Sequence, residues 1–315
     1  MSKESCGIHK TSIGGQALIE GVMMRGPHQT MMAVRAPDGQ IVTEAMETKS
    51  VKEKAKILGW PIIRGVVNFI ESMLFGYKCL MKSAELAGMD LEDEELTPFE
   101  KKLTEKFGDK LMQVVSVIGM VLGVILAVGL FMVLPMMAVW GLKFIWADVE
   151  AFGAVIEGLI KIAIFVLYLA LVSRMKEIQR VFEYHGAEHK SIACYEAGLP
   201  LEVENIRKCS RFHPRCGTSF IIIVLILSIL VFSCINFWGW LRVPIKLLLL
   251  PVVVGISYEF IKLAGRYDNV FTRILSAPGL WLQRLTTREP DDSQIEVAVA
   301  SLVPVIPESK DEDRW

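Results

Sequence analysis

Residues 111–142 read LMQVVSVIGMVLGVILAVGLFMVLPMMAVWGL, 32 positions without one charged side chain. As a helix at ~1.5 Å per residue this run is roughly 48 Å long, against a hydrocarbon core of about 30 Å. It reads as a membrane-crossing helix with length to spare. Pro135 removes a backbone donor near its far end, so the helix is expected to kink there or to end its buried part.

Three further apolar runs follow. Residues 151–173 are interrupted only by Glu157 and Lys161, which stand four apart on one helical face and can pair there. Residues 216–241 carry no charge at all, and residues 243–263 hold Pro244, Pro251 and, near the far end, Glu259. The reading is a four-span bundle. The 315-residue chain is 52% hydrophobic with a net charge of −1, which excludes the basic character of a nucleic-acid binder. Met1 to Lys10 offers no apolar core for a cleaved signal peptide. The six cysteines are scattered, two of them (Cys79 and Cys234) within apolar segments, unlike a secreted disulfide framework.

Residues 174–218, between the second and third runs, carry eight Lys and Arg, whereas the link before the second run carries Lys143 with Asp148 and Glu150. The positive-inside rule puts 174–218 in the cytoplasm. Lys101, Lys102, Lys106 and Lys110 before the first run agree, so both termini are expected there, in a multi-pass protein of the cell membrane; Arg242 and Lys246 vote mildly the other way. Upstream, residues 61–88 are apolar except for Arg64, Glu71, Lys78 and Glu85 at seven-residue steps, which suits an interfacial amphipathic helix or a re-entrant one. Residues 1–50 read as short strands, with Pro37-Asp38-Gly39 as a hairpin turn. Their glycines match neither nucleotide-binding fingerprint. The expected order is therefore a β-rich segment (1–50), the interfacial or re-entrant helix (51–89), an acidic-to-basic linker (90–110), the bundle (111–265) and an amphipathic C-terminal segment (266–315). The last residues, 308–315, are charged and expected to be disordered.

The chemistry concentrates in residues 174–218. Residues 174–197 are expected to continue the second span as an amphipathic helix, stopped by Gly198 and Pro200. His185 and His189 then project one turn apart from one face and can share a tetrahedral ion. His185-Gly-Ala-Glu188-His189 fits the H-x-x-E-H pattern of one class of zinc hydrolases, with Glu188 placed to take a proton from water at the ion. A third ligand is needed. Glu259, 70 residues beyond His189, is one source; His213 with Cys216 is another, and a set of three histidines and a cysteine would leave no open position.

Three other readings compete. The histidines could be satisfied core residues in a motif that arises by chance, or the metal could be structural, in a scaffold or assembly protein. Cys216, next to Arg215 at the start of a helix, could be a nucleophile with His213 or His185 as base. A di-iron oxygenase needs more than the five histidines present.

Residues 14–25 (GGQALIEGVMMR), Pro61 to Gly65, Tyr184 to Lys190 and His213 to Ser219 together resemble the YqhQ-like family of uncharacterised bacterial membrane proteins, over roughly residues 12–302. Thr286 to Pro290 and Glu296 to Ala298 resemble that family's C-terminal signature. The resemblance implies a metal-dependent enzyme of the bacterial inner membrane without a settled substrate. It favours His185, Glu188, His189, His213 and Cys216 over Cys209. Glu20, Arg25 and Glu259 also match, which implies that the N-terminal strands cover the site.

The sequence thus predicts a mainly α membrane protein: a four-span bundle, amphipathic interfacial helices, and a small N-terminal β element on the cytoplasmic side. A divalent metal, of zinc type, is expected on His185 and His189, with His213, Cys216 or Glu259 completing the shell and Glu188 as base. Glu20, Arg25, Glu183 and Arg215 are expected around it or against substrate. Expected partners are membrane lipid and an unidentified substrate, with no nucleic acid.

Overall fold

The structure, a computed structural model, describes residues 9–47, 55–89, 109–146, 149–234, 241–266, 269–309 and 311–314. The linker 90–108, with Lys101, Lys102 and Lys106, lies outside them, as do Asp148 and residues 235–240 of the third apolar run. The chain forms two compact units, one drawn from Met1–Met89, Leu169–Val224 and Pro251–Trp315, the other from Asp90–Tyr168 and Leu225–Leu250.

The first unit is built on an antiparallel meander: β1 (Gly14–Leu18), β2 (Gly21–Arg25), β3 (Thr30–Arg35) and β4 (Ile41–Met46). The Asp-Gly turn closes β3 on β4 as predicted, with the Gly39 N–H on Ala36 O at 2.9 Å and the Gln40 N–H on Asp38 Oδ1 at 3.0 Å. Alternation along the strands sends side chains to two cores. Val22, Met24 and Ala33 meet Tyr184, Ala187 and Ile192 of α5 (Lys176–Glu196) and Ile295, Ala298 and Leu302 of α10 (Asp292–Leu302). Leu18, Met23, Met32 and Val34 meet Phe75, Cys79 and Leu80 of α1 (Ile63–Leu86). The sheet is therefore a filled middle layer. Helix α1 leaves Ile70, Met73, Leu74 and Tyr77 exposed on its other side, while its first turn is tied by the Arg64–Glu259 ion pair to α8 (Arg242–Arg266).

Two expectations are corrected here. The second apolar helix, α4 (Val149–Val172), does not continue into α5, because Met175 is extended (φ −71°, ψ 134°) and restarts the helix. The C-terminal tail is anchored at Asp313, which is fully buried. Its carboxylate accepts hydrogen bonds from Thr11 Oγ1 (2.5 Å) and Tyr195 OH (3.0 Å) and pairs with His9 Nε2 (2.7 Å), partners that replace its hydration.

The second unit holds α2 (Asp109–Val128), a π-helical turn (Gly129–Val133), α3 (Leu134–Leu142) and most of α4, with parts of α7 (Gly217–Ser233) and α8. The π turn precedes Pro135, whose missing N–H breaks the regular ladder. Among the described residues three helical stretches are long and apolar enough to cross a membrane: Val121–Leu142, Phe152–Val172 and Val243–Leu263. Of the expected third span, the described residues hold the apolar helix Gly217–Ser233, 17 residues long, which is not among those three. Glu157 pairs with Lys246 of α8, a buried helical residue.

Candidate metal centre

The histidine pair sits on the buried face of α5. The rings of His185 and His189 lie 4.4 Å apart between centroids, inclined at 62°. Each is held through Nδ1 by a backbone carbonyl from a distant segment: His185 by Thr286 O at 2.8 Å, His189 by Arg211 O at 2.6 Å. A carbonyl oxygen only accepts, so both Nδ1 atoms carry the proton and both Nε2 lone pairs are left for other use. Burial, then the neighbouring His185, lowers the His189 pKa against the weaker pull of Cys216 and the Arg211 carbonyl, which keeps the ring neutral.

Those lone pairs meet a sulfur. Cys216 Sγ lies 3.3 Å from His185 Nε2, and ligand atoms of His185, His189 and Cys216 all fall within 4.8 Å of one another. Atoms sharing a tetrahedral ion at ~2.0–2.3 Å stand roughly 3.3–3.8 Å apart, so a closure of about 1 Å completes the set. The sulfur also accepts from the Thr218 N–H at 3.5 Å and the Thr218 hydroxyl at 3.3 Å, at the first turn of α7. One thiol proton serves two nitrogen lone pairs and a sulfur. The group is rich in electron pairs and short of positive charge.

Glu188 adds to that imbalance. It is 5% exposed, with Oε2 3.9 Å from His185 Nε2 and Oε1 accepting the Gly15 N–H at 3.1 Å. Burial pushes its carboxyl above the usual range, against the smaller, opposing influence of the neighbouring His185 and His213 rings and the Gly15 N–H. Two glycines make the packing possible. A Cβ on Gly15 would fall 2.9 Å from Glu188 Cγ, and one on Gly186 would fall 1.9 Å from Arg288 O, where the segment after α9 (Val270–Thr286) crosses α5.

The other expected residues are distributed around this group. His213 is next to it, 5.7 Å from His189 between centroids, but its Nε2 faces Glu196 Oε2 at 3.2 Å. Its backbone is clamped both ways by Gln283, at 2.8 and 2.7 Å. Arg215 pairs with the same Glu196, which also accepts the Thr11 N–H at 2.9 Å. Burial would raise the Glu196 pKa, yet these partners hold it below the usual carboxylate range. Glu259 is not brought to the histidines; it pairs with Arg64. Glu20 pairs with Arg180 and accepts from Tyr184 OH at 3.2 Å, and Glu183 accepts from Gln294 Nε2 at 2.9 Å, so both brace α5. Arg25 is exposed at the end of β2. Sequence reasoning missed Glu196, Gln283 and the two carbonyls. The only hint of the Thr286 lock was the Thr286 to Pro290 signature.

A strand-and-helix unit with a partly buried His, His, Cys group, in a chain whose described residues hold three helices apolar enough to cross a membrane, defines a membrane-associated protein. Residues 60–308 match the family described as "Protein of unknown function (DUF1385)", and the chain belongs to that family. It is 38% identical over 291 residues to "Uncharacterized protein YqhQ" of Bacillus subtilis (strain 168), covering 91% of this chain and 90% of that protein. No solved structure matches.

Proposed function

We propose that the protein is a metal-dependent membrane enzyme, hydrolytic in type, with a zinc-like ion on His185, His189 and Cys216. The observation that carries this reading is the pair of carbonyl locks, which fix both rings with Nε2 toward Cys216 Sγ. Ligand histidines are commonly oriented by such outer hydrogen bonds. Three protein ligands leave a fourth position open, the arrangement of catalytic rather than structural zinc. A zinc-type ion would supply polarisation of water, and Glu188, whose Oε2 lies 3.9 Å from His185 Nε2, would serve as the base. His213 and Glu196 stand beside the group and would orient substrate or pass on a proton.

The test separates catalysis from structure. Glu188→Gln is expected to retain the ion by elemental analysis and to fail to complement a deletion strain. Full complementation by the variant would leave a structural site. A thiol mechanism is favoured by one observation, the His185 Nε2 to Cys216 Sγ approach of 3.3 Å with two Thr218 donors on the sulfur. Under that reading Cys216 alkylates fast at neutral pH whether or not a chelator is present; as a ligand it labels slowly until the ion is removed.

A further inference from the structure

Helix α9 of the first unit has two faces, and the candidate centre uses only one. Gly279, Leu282, Gln283 and Thr286 recur at three- and four-residue steps and are buried. A Cβ on Gly279 would fall 2.8 Å from Ser219 Cα of α7, Gln283 clamps the His213 backbone, and the Thr286 carbonyl holds His185 Nδ1 at 2.8 Å. The outer face is apolar too. Val270 is 73% exposed, Ile274 67% and Trp281 53%, in the same helical rhythm through the exposed Ala277 and Pro278. Arg284, three residues past Trp281, is exposed on that side.

Chain connectivity and charge say what covers this face. Only residues 267–269 separate α9 from α8, whose stretch Val243–Leu263 is long and apolar enough to cross a membrane. At ~3.5 Å per residue, α9 starts within about 14 Å of the end of α8. Its first turn is thereby kept near the membrane surface. Residues 262–284 carry Lys262, Arg266, Arg273 and Arg284 against Asp268, the complement of anionic headgroups. An amphipathic helix with basic residues and an exposed indole suits that layer, where the apolar face enters the acyl boundary and the cations stay with the phosphates.

We infer that α9 is a docking surface for an anionic lipid layer, lying in the plane of the interface with Val270, Ile274 and Trp281 among the upper acyl chains and Arg284 on lipid phosphate. The same helix then touches lipid with one face and holds His213 and His185 with the other. The inference stands whether or not the histidines carry an ion.

The experiment is fluorescence quenching of the full-length protein in phosphatidylcholine nanodiscs, with the same small fraction of lipid replaced by brominated phosphatidylglycerol or by brominated phosphatidylcholine. The chain has seven Trp, so the Trp281 signal is taken as the difference between the wild type and Trp281→Phe. That signal is expected to be quenched by both lipids, and by the anionic one more strongly by about twofold or more. Lys262→Gln with Arg284→Gln should reduce the preference and leave quenching by phosphatidylcholine in place. A Trp281 signal that neither lipid quenches would overturn the inference, because water, a second copy or another protein would then cover the face. Equal quenching by the two lipids, or a preference unchanged in the double variant, would also overturn it. If Trp281→Phe does not fold, Trp281→Tyr takes its place, with the same outcomes.

Discussion

At His185 and His189 the informative contacts are made by the nitrogens that face away from the cluster. Because both Nδ1 atoms donate to carbonyls, an ion is offered two preformed lone pairs, and little ordering is left for binding to accomplish. Glu259 has no part in this arrangement, so Glu259→Gln is expected to leave metal content unchanged. It should instead weaken the α1–α8 tie, with a double-mutant cycle against Arg64→Ala giving a coupling on the order of 1–3 kcal/mol in thermal unfolding. Loss of metal in that variant would return Glu259 to the ligand set. The histidine pair was legible in the sequence because helical period alone places His185 and His189 on one face. The Thr286 carbonyl was not, since it reaches His185 across 101 residues and a backbone atom leaves no residue-type signal. Glu259 misled because an acid at the end of an apolar run suggests ligation, and its cationic partner lay 195 residues upstream.

Helix α5 carries the site because its neighbours come unusually close. Gly186→Ala is expected to destabilise by roughly 1–3 kcal/mol through overpacking against the Arg288 carbonyl, and to disturb the Thr286 lock beside it; a lower unfolding temperature with reduced metal content would show both. Helix α10 begins with a reciprocal cap, Asp291 Oδ1 accepting the Gln294 N–H and Gln294 Oε1 accepting the Asp291 N–H, each at 2.9 Å. Burial alone would raise the Asp291 pKa; Ser293, the Gln294 N–H and Arg180 bring it below its ordinary value. A carboxyl depressed in the folded state stabilises above its unfolded pKa, near ~3.9, and loses that contribution as pH falls through the lower folded value. Asp291→Ala should therefore cost about 1 kcal/mol at neutral pH. The gap to wild type in thermal unfolding should close below pH ~4, and a gap that widens there would contradict the assignment. At this scale the strands and the Asp-Gly hairpin were legible from alternation and turn chemistry. The restart of the helix at Met175 was not, because residues 174–176 contain neither Gly nor Pro.

Over the whole chain, the apolar runs announced themselves in the sequence, and among the described residues three of them hold helices of crossing length. Less visible was the assembly of one unit from Met1–Met89, Leu169–Val224 and Pro251–Trp315, which gathers the sheet, the histidines and the C-terminal helix around one core. Asp313 shows why: its partners His9, Thr11 and Tyr195 are 304, 302 and 118 residues away, so its charge read as solvated tail. Removing residues 308–315 is expected to free Thr11 from its isolated bridge to Arg314 and its hydrogen bond to Asp313 and to lower the unfolding temperature, whereas a disordered tail would be dispensable. The central claim, that His185, His189 and Cys216 hold one ion, is tested most directly by elemental analysis of the purified full-length protein beside its His189→Ala and Cys216→Ala variants. The account predicts about one zinc-type ion per chain in the wild type and its loss from both variants while they remain monodisperse. A wild type without stoichiometric metal, or variants that keep it, would contradict the account.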